Sequence, residues 1–595
     1  MPASNRRNAP TPRRRNTRIL GRQGGTTSPA DPADTQPRTR RRATPAGLLW
    51  SVTLALAHAL MFLCAFPPIG LWPLALLAPA PLAWLALTAR SARSAFFLTL
   101  IVQFLMWLWI DRWLIDVTIA GYPLKALYMS LYGCAFVWLM RRLHRHPRFA
   151  RWPAALTLPL AWVALECLRG ELVFDGYPWF LLGHPLVEAP ACAQSADLLG
   201  VYLLSFLAAA AAGAVVDLAP AARRRIPAPA AVIALAAVLL LHAANIAYGA
   251  WRLRQPAHDL QTVNLLAIQT NLPQSNKIAW SLDDQRRDLA AFIALTRTAA
   301  HSLPTPPDLI VWPETMLPVR GLERPTLQTL RKWGQHDELD FARQVFQLQR
   351  ELRVPLLVGV PCHLGLDVSP QGRWIWNRNY NSAYLIRDPD PLQRYDKHFL
   401  TPFGEVMPYI SKWPWLERKL LAIGAPGMSF SLDGNPTINR LTLSLGRRVI
   451  TLATPICFED TVARVCRRMV YHHGRKQAQL LVNLSNDGWF GSSDAGRAQH
   501  VQIARLRCIE NRVPMVRCAN TGMSVSIDSA GRVVGTIGDA RYGNGRRSGW
   551  LAATPRLDDR ASLYGRLGEI FPWTCLLASF LGLCSTFLGR RKGSP

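Results

Sequence analysis

The sequence predicts a multi-span α-helical membrane domain joined to an extracytoplasmic α/β domain. Three observations carry this. Apolar stretches crowd the first 250 residues and one more lies near the C-terminus. Basic clusters fall in alternate connections between those stretches. Residues 251–568 instead have globular composition, with β-like and α-like segments in alternation.

Composition narrows the function classes. Half of the 595 residues are hydrophobic and 18% are charged, yet the formal net charge is +30. A nucleic-acid binder would interleave its basic residues with aromatics on a folded surface. Here the densest basic runs lie in the N-terminal tail and between apolar segments, so no nucleic-acid partner is expected. The eleven cysteines include no C-x-x-C pair and no zinc-ligand spacing. Walker A, H-E-x-x-H and G-x-S-x-G patterns are also missing, so neither metal nor cofactor is expected.

Residues 1–45 are rich in Arg, Pro, Thr and Asn and predict a disordered basic tail, because they bury too little apolar surface to offset chain entropy. A membrane domain of seven transmembrane helices is expected over 46–250. Its apolar stretches are 47–66, 71–89, 94–110, 121–140, 153–168, 197–219 and 227–249, and an eighth helix is expected over 569–589. Most approach the length of about 20 residues that spans a bilayer. Pro67-Pro68-Ile69-Gly70 predicts a tight turn between the first two. Asp111 and Asp116, at a span end, are expected to be solvated at the interface.

Arg90 and Arg93, the run Arg141 to Arg151, and residues 223–225 occupy alternate connections, and residues 590–592 form a short basic C-terminal tail. All fall on the side of the N-terminal tail. The positive-inside rule therefore makes both termini cytoplasmic and places residues 251–568 on the far side, periplasmic in a Gram-negative cell.

Within 251–568, strands are predicted at 262–268, 308–312, 355–360, 382–386, 448–453, 479–484 and 514–518. Helices are predicted near 283–301 and 337–353. Three strand ends carry reactive side chains. Val311-Trp312-Pro313-Glu314 puts a carboxylate just past a buried run, Tyr395-Asp396-Lys397 supplies a cation, and Thr454-Pro455-Ile456-Cys457-Phe458-Glu459-Asp460 supplies a thiol before a helix-like stretch. Glu405 closes the turn-rich connection after Lys397. Singly, such a Glu or Lys is a surface charge and such a Cys a small buried hydrophobe. Jointly, a base, a cation and a thiol at strand ends make an acyl-transfer site.

These motifs resemble the Glu-Lys-Cys triad of the nitrilase (carbon–nitrogen hydrolase) superfamily, and with the membrane spans the chain resembles the bacterial apolipoprotein N-acyltransferase family. Further similar stretches are Gln269–Gln274, Asn379–Ser382, Asn483–Gly491 and Arg517–Gly522. The resemblance implies an α-β-β-α sandwich for the extracytoplasmic domain. It implies Cys457 as nucleophile, Glu314 as general base and Lys397 as oxyanion stabiliser, with Glu405 and Glu459 in support. The family often places Tyr after the nucleophile; Phe458 here keeps the backbone N–H as an oxyanion donor. A family tryptophan that follows the Pro-Gln segment corresponds to Trp280, slightly displaced.

The implied activity is ping-pong transfer of an acyl chain through a Cys thioester. A phospholipid is the donor, and the acceptor is the α-amine of a diacylglyceryl-cysteine apolipoprotein, with the enzyme expected as a monomer in the inner membrane. The aromatic stretch 406–416, including Trp413 and Trp415, is read either as a membrane-dipping lid that binds acyl chains or as a core-packing segment. The rival readings are a membrane-tethered amidase of the same superfamily and a transporter or scaffold with a nitrilase-like domain.

Overall fold

A computed structural model describes residues 45–219, 226–256, 261–273, 280–387, 391–424, 430–537 and 546–588. The basic N-terminal tail and the clusters at 223–225 and 590–592 lie outside the described residues.

Among the described residues of the first part, seven helices have ten residues or more: α1 (Pro45–Ala65), α2 (Pro79–Thr88), α3 (Ala92–Ile110), α4 (Gly121–Arg145), α5 (Ala154–Cys167), α6 (Val201–Leu218) and α7 (Ala228–Arg254). The C-terminal helix, Ile570–Leu588, packs on α5 and α6. Among the described residues, six of these eight are long and apolar enough to cross a membrane. The second and fifth predicted spans differ. Proline breaks the second into a 3-10 turn, Trp72–Leu76, and the ten-residue α2, since Pro73 and Pro79 each lack an N–H for a continuous ladder. The fifth is the fourteen-residue α5, which continues into a π turn at Leu168–Leu172. Helices α1, α3 and α7 turn large apolar side chains such as Leu60, Ile101 and Leu240 outward, as a lipid-facing surface requires. Asp111 departs from its expected solvation. It is fully buried and pairs with Lys125 Nζ at 2.7 Å.

The second part is built on two six-stranded sheets. In chain order the strands are β1 (Leu265–Gln269), β2 (Leu309–Val311), β3 (Leu356–Leu364), β4 (Arg378–Ile386), β5 (Gln393–Asp396), β6 (Leu441–Leu445), β7 (Arg448–Ala453), β8 (Leu480–Ser485), β9 (Met515–Ala519), β10 (Val525–Ile527), β11 (Val533–Thr536) and β12 (Gly549–Ala553). One sheet has the order β12-β1-β2-β3-β4-β5, and the other β11-β10-β9-β8-β7-β6. Each has a parallel centre, β1-β2-β3 or β7-β8-β9, flanked by antiparallel edges.

Alternation of side chains along a strand explains the layering. Leu266, Ile268 and Ile310 face a core shared with helices α8 (Leu282–Ser302) and α9 (His336–Leu352). Their neighbours Leu265, Ala267 and Val311 face a core shared with Val482 and Val516 of the second sheet. Cys518 on β9 reaches across, its thiol within 3.4 Å of the Ile268 carbonyl and 3.3 Å of the Val311 carbonyl. The predicted strands and both predicted helices are present. The edge strands β5, β6, β11 and β12, and β10 beside β11, are not among those the sequence singles out; each is at most five residues long, so its apolar pattern is weak.

Candidate active site

Three strand ends converge. β2 delivers Glu314, β5 delivers Lys397, and β7 delivers Cys457. Glu314 stays next to β3 because Gly359 has no side chain. A Cβ there would lie 2.4 Å from the Pro313 carbonyl oxygen and 2.5 Å from the Thr315 nitrogen. The Met316 N–H completes this contact by donating to the Gly359 carbonyl at 3.0 Å. Cys457 opens the 3-10 turn Cys457–Thr461 with φ +51°, a conformation that costs an L-residue energy and recurs at functional turns.

Lys397 is completely buried. Its Nζ lies 2.7 Å from Glu405 Oε1 and 3.9 Å from Glu314 Oε1. Glu405 is held in turn by the Thr401 N–H at 2.8 Å, and Glu314 Oε1 accepts from Asn381 Nδ2 at 2.7 Å. Burial opposes a charged ammonium, but the Glu405 and Glu314 carboxylates outweigh it and raise the Lys397 pKa above its ordinary value. The Cys457 thiol moves upward as well, through burial first and Glu314 second, with Lys397 opposing. At rest it is therefore a protonated thiol beside a base and a fixed positive charge.

Glu459 binds the site together. Its carboxylate accepts from Ile456 N (2.8 Å), His398 N (2.8 Å), Phe399 N (2.9 Å) and the Tyr395 hydroxyl (2.8 Å). One buried side chain thus ties the nucleophile turn to the loop that begins at Lys397. Asn483 Nδ2 donates to the carbonyls of Pro455 (3.1 Å) and Cys457 (3.3 Å) from the neighbouring β8.

Residues 177–180, between α5 and α6, complete the surroundings. Arg169 donates to the carbonyls of Tyr177, Trp179 and Phe180 and fixes that loop. The Tyr177 and Trp179 rings then stack on Phe458, each 6.3 Å away, and Phe399 stacks on Phe458 from the Lys397 loop at 6.3 Å. Trp413 and Trp415 flank the start of an eleven-residue helix, α10 (Pro414–Gly424), and are 53% and 57% exposed. Trp280 is held near the start of α8, its indole N–H donating to Asp288 Oδ2 at 2.9 Å.

Comparison with known proteins follows the same division. Residues 58–214 match the model of the apolipoprotein N-acyltransferase N-terminal domain, and residues 267–542 match that of the carbon–nitrogen hydrolases. An apolipoprotein N-acyltransferase of Geobacter metallireducens is 31% identical over 553 residues, 91% of this chain and 95% of its own. The chain belongs to the apolipoprotein N-acyltransferase family. A member from Allorhizobium ampelinum is 31% identical over 81% of this chain and 86% of its own length, and one from Rhodopseudomonas palustris is 30% identical over 72% of each.

The structure places every predicted residue of the family triad, and Glu405, Phe458 and Glu459, around one centre. Sequence reasoning assigned no role to Asn381, Tyr395, Asn483, Tyr177, Trp179 or His500. Asn381 and Asn483 lie in stretches already noted as family-like, so the signal was present without a geometry to interpret it. Tyr177 and Trp179 sit in a connection between apolar segments, where nothing in the pattern marks contact with residues nearly 300 positions away.

Proposed function

We propose that this acyltransferase-family enzyme transfers an acyl chain from a membrane phospholipid to the N-terminal amine of a diacylglyceryl-cysteine apolipoprotein. The observation that carries this is the buried Lys397 ammonium, 2.7 Å from Glu405 and 3.9 Å from Glu314, beside the Cys457 turn. Glu314 removes the thiol proton, and the Cys457 sulfur attacks the ester carbonyl of the donor. The oxyanion is stabilised by Lys397 and the Phe458 N–H; one such donor is typically worth about 3 kcal/mol. Collapse breaks the ester C–O bond, and Glu314 returns its proton to the departing lysophospholipid oxygen. The acceptor amine then attacks the thioester and loses a proton to Glu314, the C–S bond breaks, and the new amide leaves. Cys457 finally recovers the proton held by Glu314.

Glu405 neutralises Lys397 in the resting site, so the ammonium turns toward the reaction centre as negative charge develops there. Both substrates carry acyl chains, and moving them into water would cost about 0.8 kcal/mol per CH₂. A site joined to a bundle of apolar helices avoids that cost. The exposed indoles of Trp413 and Trp415 favour the lid over the core-packing segment. Tyr409 in the same stretch donates to the Leu172 carbonyl at 3.1 Å, and Phe174 N donates to the Tyr409 hydroxyl at 3.2 Å, so the lid is latched to the turns that follow α5. On this reading the protein works in the inner membrane as a monomer, with both termini cytoplasmic and the α/β part periplasmic.

Intact mass of the purified enzyme after incubation with phospholipid, beside Cys457→Ala, tests the reading. A gain of one fatty acyl chain, removed by hydroxylamine and absent from the variant, is expected. Adding a diacylated lipopeptide then clears the adduct and acylates the peptide. Absence of an adduct on folded enzyme, or release of free fatty acid in place of acylated peptide, overturns it.

A further inference from the structure

Behind the nucleophile turn lies a group of four charged side chains that the mechanism above does not use. Asp460 stands three residues after Cys457. Asp487 opens the 3-10 turn Asp487–Phe490 that follows β8, His500 lies on the helix Asp494–Asn511, and Arg517 lies on β9. None is more than 2% exposed. Arg517 grips Asp487 with both terminal nitrogens, Nη1 to Oδ2 at 2.9 Å and Nη2 to Oδ1 at 2.8 Å. That pairing holds the Asp487 carboxyl well below the usual range despite its burial.

His500 joins this pair to the nucleophile turn. Its Nε2 is 2.6 Å from Asp460 Oδ1. Its Nδ1 has two neighbours of opposite kind, the Asp487 Oδ1 acceptor at 3.1 Å and the Arg517 Nη2 donor at 2.8 Å. Each state of the ring thus has a partner within reach, and gaining the proton exchanges the Arg517 contact at Nδ1 for the Asp487 one. When neutral, Nε2–H donates to Asp460 and Nδ1 accepts from Arg517. When protonated, Nε2–H donates to Asp460 and Nδ1–H to Asp487. Asp460, Asp487 and Arg517 are the charged groups that face the ring, while Trp179 and Phe490 lie against it with centroids at 5.4 Å and 6.2 Å.

Two carboxylates and one guanidinium leave the group at net −1 around a neutral ring and at zero around an imidazolium. Asp487 and Arg517 both lie within electrostatic reach of the Cys457 sulfur. A thiolate forms more readily over the neutral group than over the negative one. We propose that His500 is a positioning residue for Cys457: it pins the nucleophile turn through Asp460 and, by gaining or losing one proton in place, sets the charge that the thiolate faces. This rests on Cys457 being the nucleophile. Burial and Arg517 oppose the imidazolium, Asp460 and Asp487 favour it, and the balance lies above the ordinary histidine value. The advantage to the thiolate is thus present at low pH and is lost as pH rises through that raised value.

The test is the rate of iodoacetamide alkylation at the Cys457-containing peptide of the full-length enzyme in lipid, followed across roughly pH 6 to 9, where histidine changes charge. Wild type should rise with pH but with a shallow interval, where loss of the His500 proton raises the thiol pKa. His500→Gln should rise without that interval, merging with wild type at alkaline pH and falling about tenfold below it at acid pH, the effect of one pKa unit. A purely structural role would give a difference independent of pH, and that result overturns the proposal. Should His500→Gln fail to fold, the wild-type profile alone decides, since a uniform slope overturns the proposal. Cys457→Ala assayed for acyl transfer separates the two readings. Retained activity would remove the nucleophile assignment, whereas lost activity with identical wild-type and His500→Gln profiles would remove only the role of His500.

Discussion

Replacing Glu459 with Gln changes one atom type at the point where the Cys457 turn and the Lys397 loop meet. The carboxylate presents two acceptor oxygens: Oε1 takes His398 N and Phe399 N, and Oε2 takes Ile456 N. An amide has only one oxygen, so its NH₂ must face at least one backbone N–H whichever way it turns. The smallest consequence is an unsatisfied buried N–H at Ile456, which costs about 1–3 kcal/mol. Because Ile456 precedes the nucleophile, the relaxation displaces Cys457, and a misplacement of about 1 Å costs on the order of 10²-fold in rate. Single-turnover formation of the acyl-enzyme, followed by intact mass, should therefore slow by roughly 10- to 100-fold while the variant still melts cooperatively. Glu459→Ala leaves the Ile456 and Phe399 N–H groups without their acceptor and His398 N with the Tyr395 hydroxyl alone, at about 2–6 kcal/mol, a large share of a domain's stability, and should lower the yield of folded protein sharply. A Glu459→Gln enzyme that acylates at the wild-type rate with an unchanged melting temperature would refute this account of the clamp.

Two further outcomes follow from the geometry. Gly359→Ala puts a methyl group 2.4 Å from the Pro313 carbonyl and should displace Glu314, costing about 1–3 kcal/mol of stability along with acylation; melting and single-turnover curves matching wild type would show that the close approach is not needed. Replacing Trp413 and Trp415 together with Ser should depress transfer from phospholipid vesicles without lowering the melting temperature, because both side chains are more than half exposed; unchanged transfer would remove the lid.

Much of the architecture was legible before any coordinates. Hydrophobic length marked the helices, since a span must be apolar over about 20 residues whatever it packs against. The two exceptions have local causes: Pro73 and Pro79 break the second span, and the fifth is a short helix that starts after Pro153 and passes into the π turn at Leu168–Leu172. β-branched runs located the central strands because those are buried on both faces. The antiparallel edges escaped because half of their side chains need no apolar partner.

The chemical identities of the site were likewise in the sequence. Glu314, Lys397 and Cys457 each follow a strand, and that local placement can be read one strand at a time. What joins them is not local. Glu459 reaches His398 across 61 positions, and Gly359 admits the Glu314 loop through a contact between neighbouring strands. Tyr177 and Trp179 meet Phe458 only because the loop after α5 folds against the α/β part. His500 gained a meaning only when Asp460, Asp487 and Arg517 closed around it. Side-chain type and strand position are properties of short segments, so the sequence by itself determined which groups can react. Distance, burial and charge balance are sums over segments far apart in the chain, and only the tertiary structure decided them.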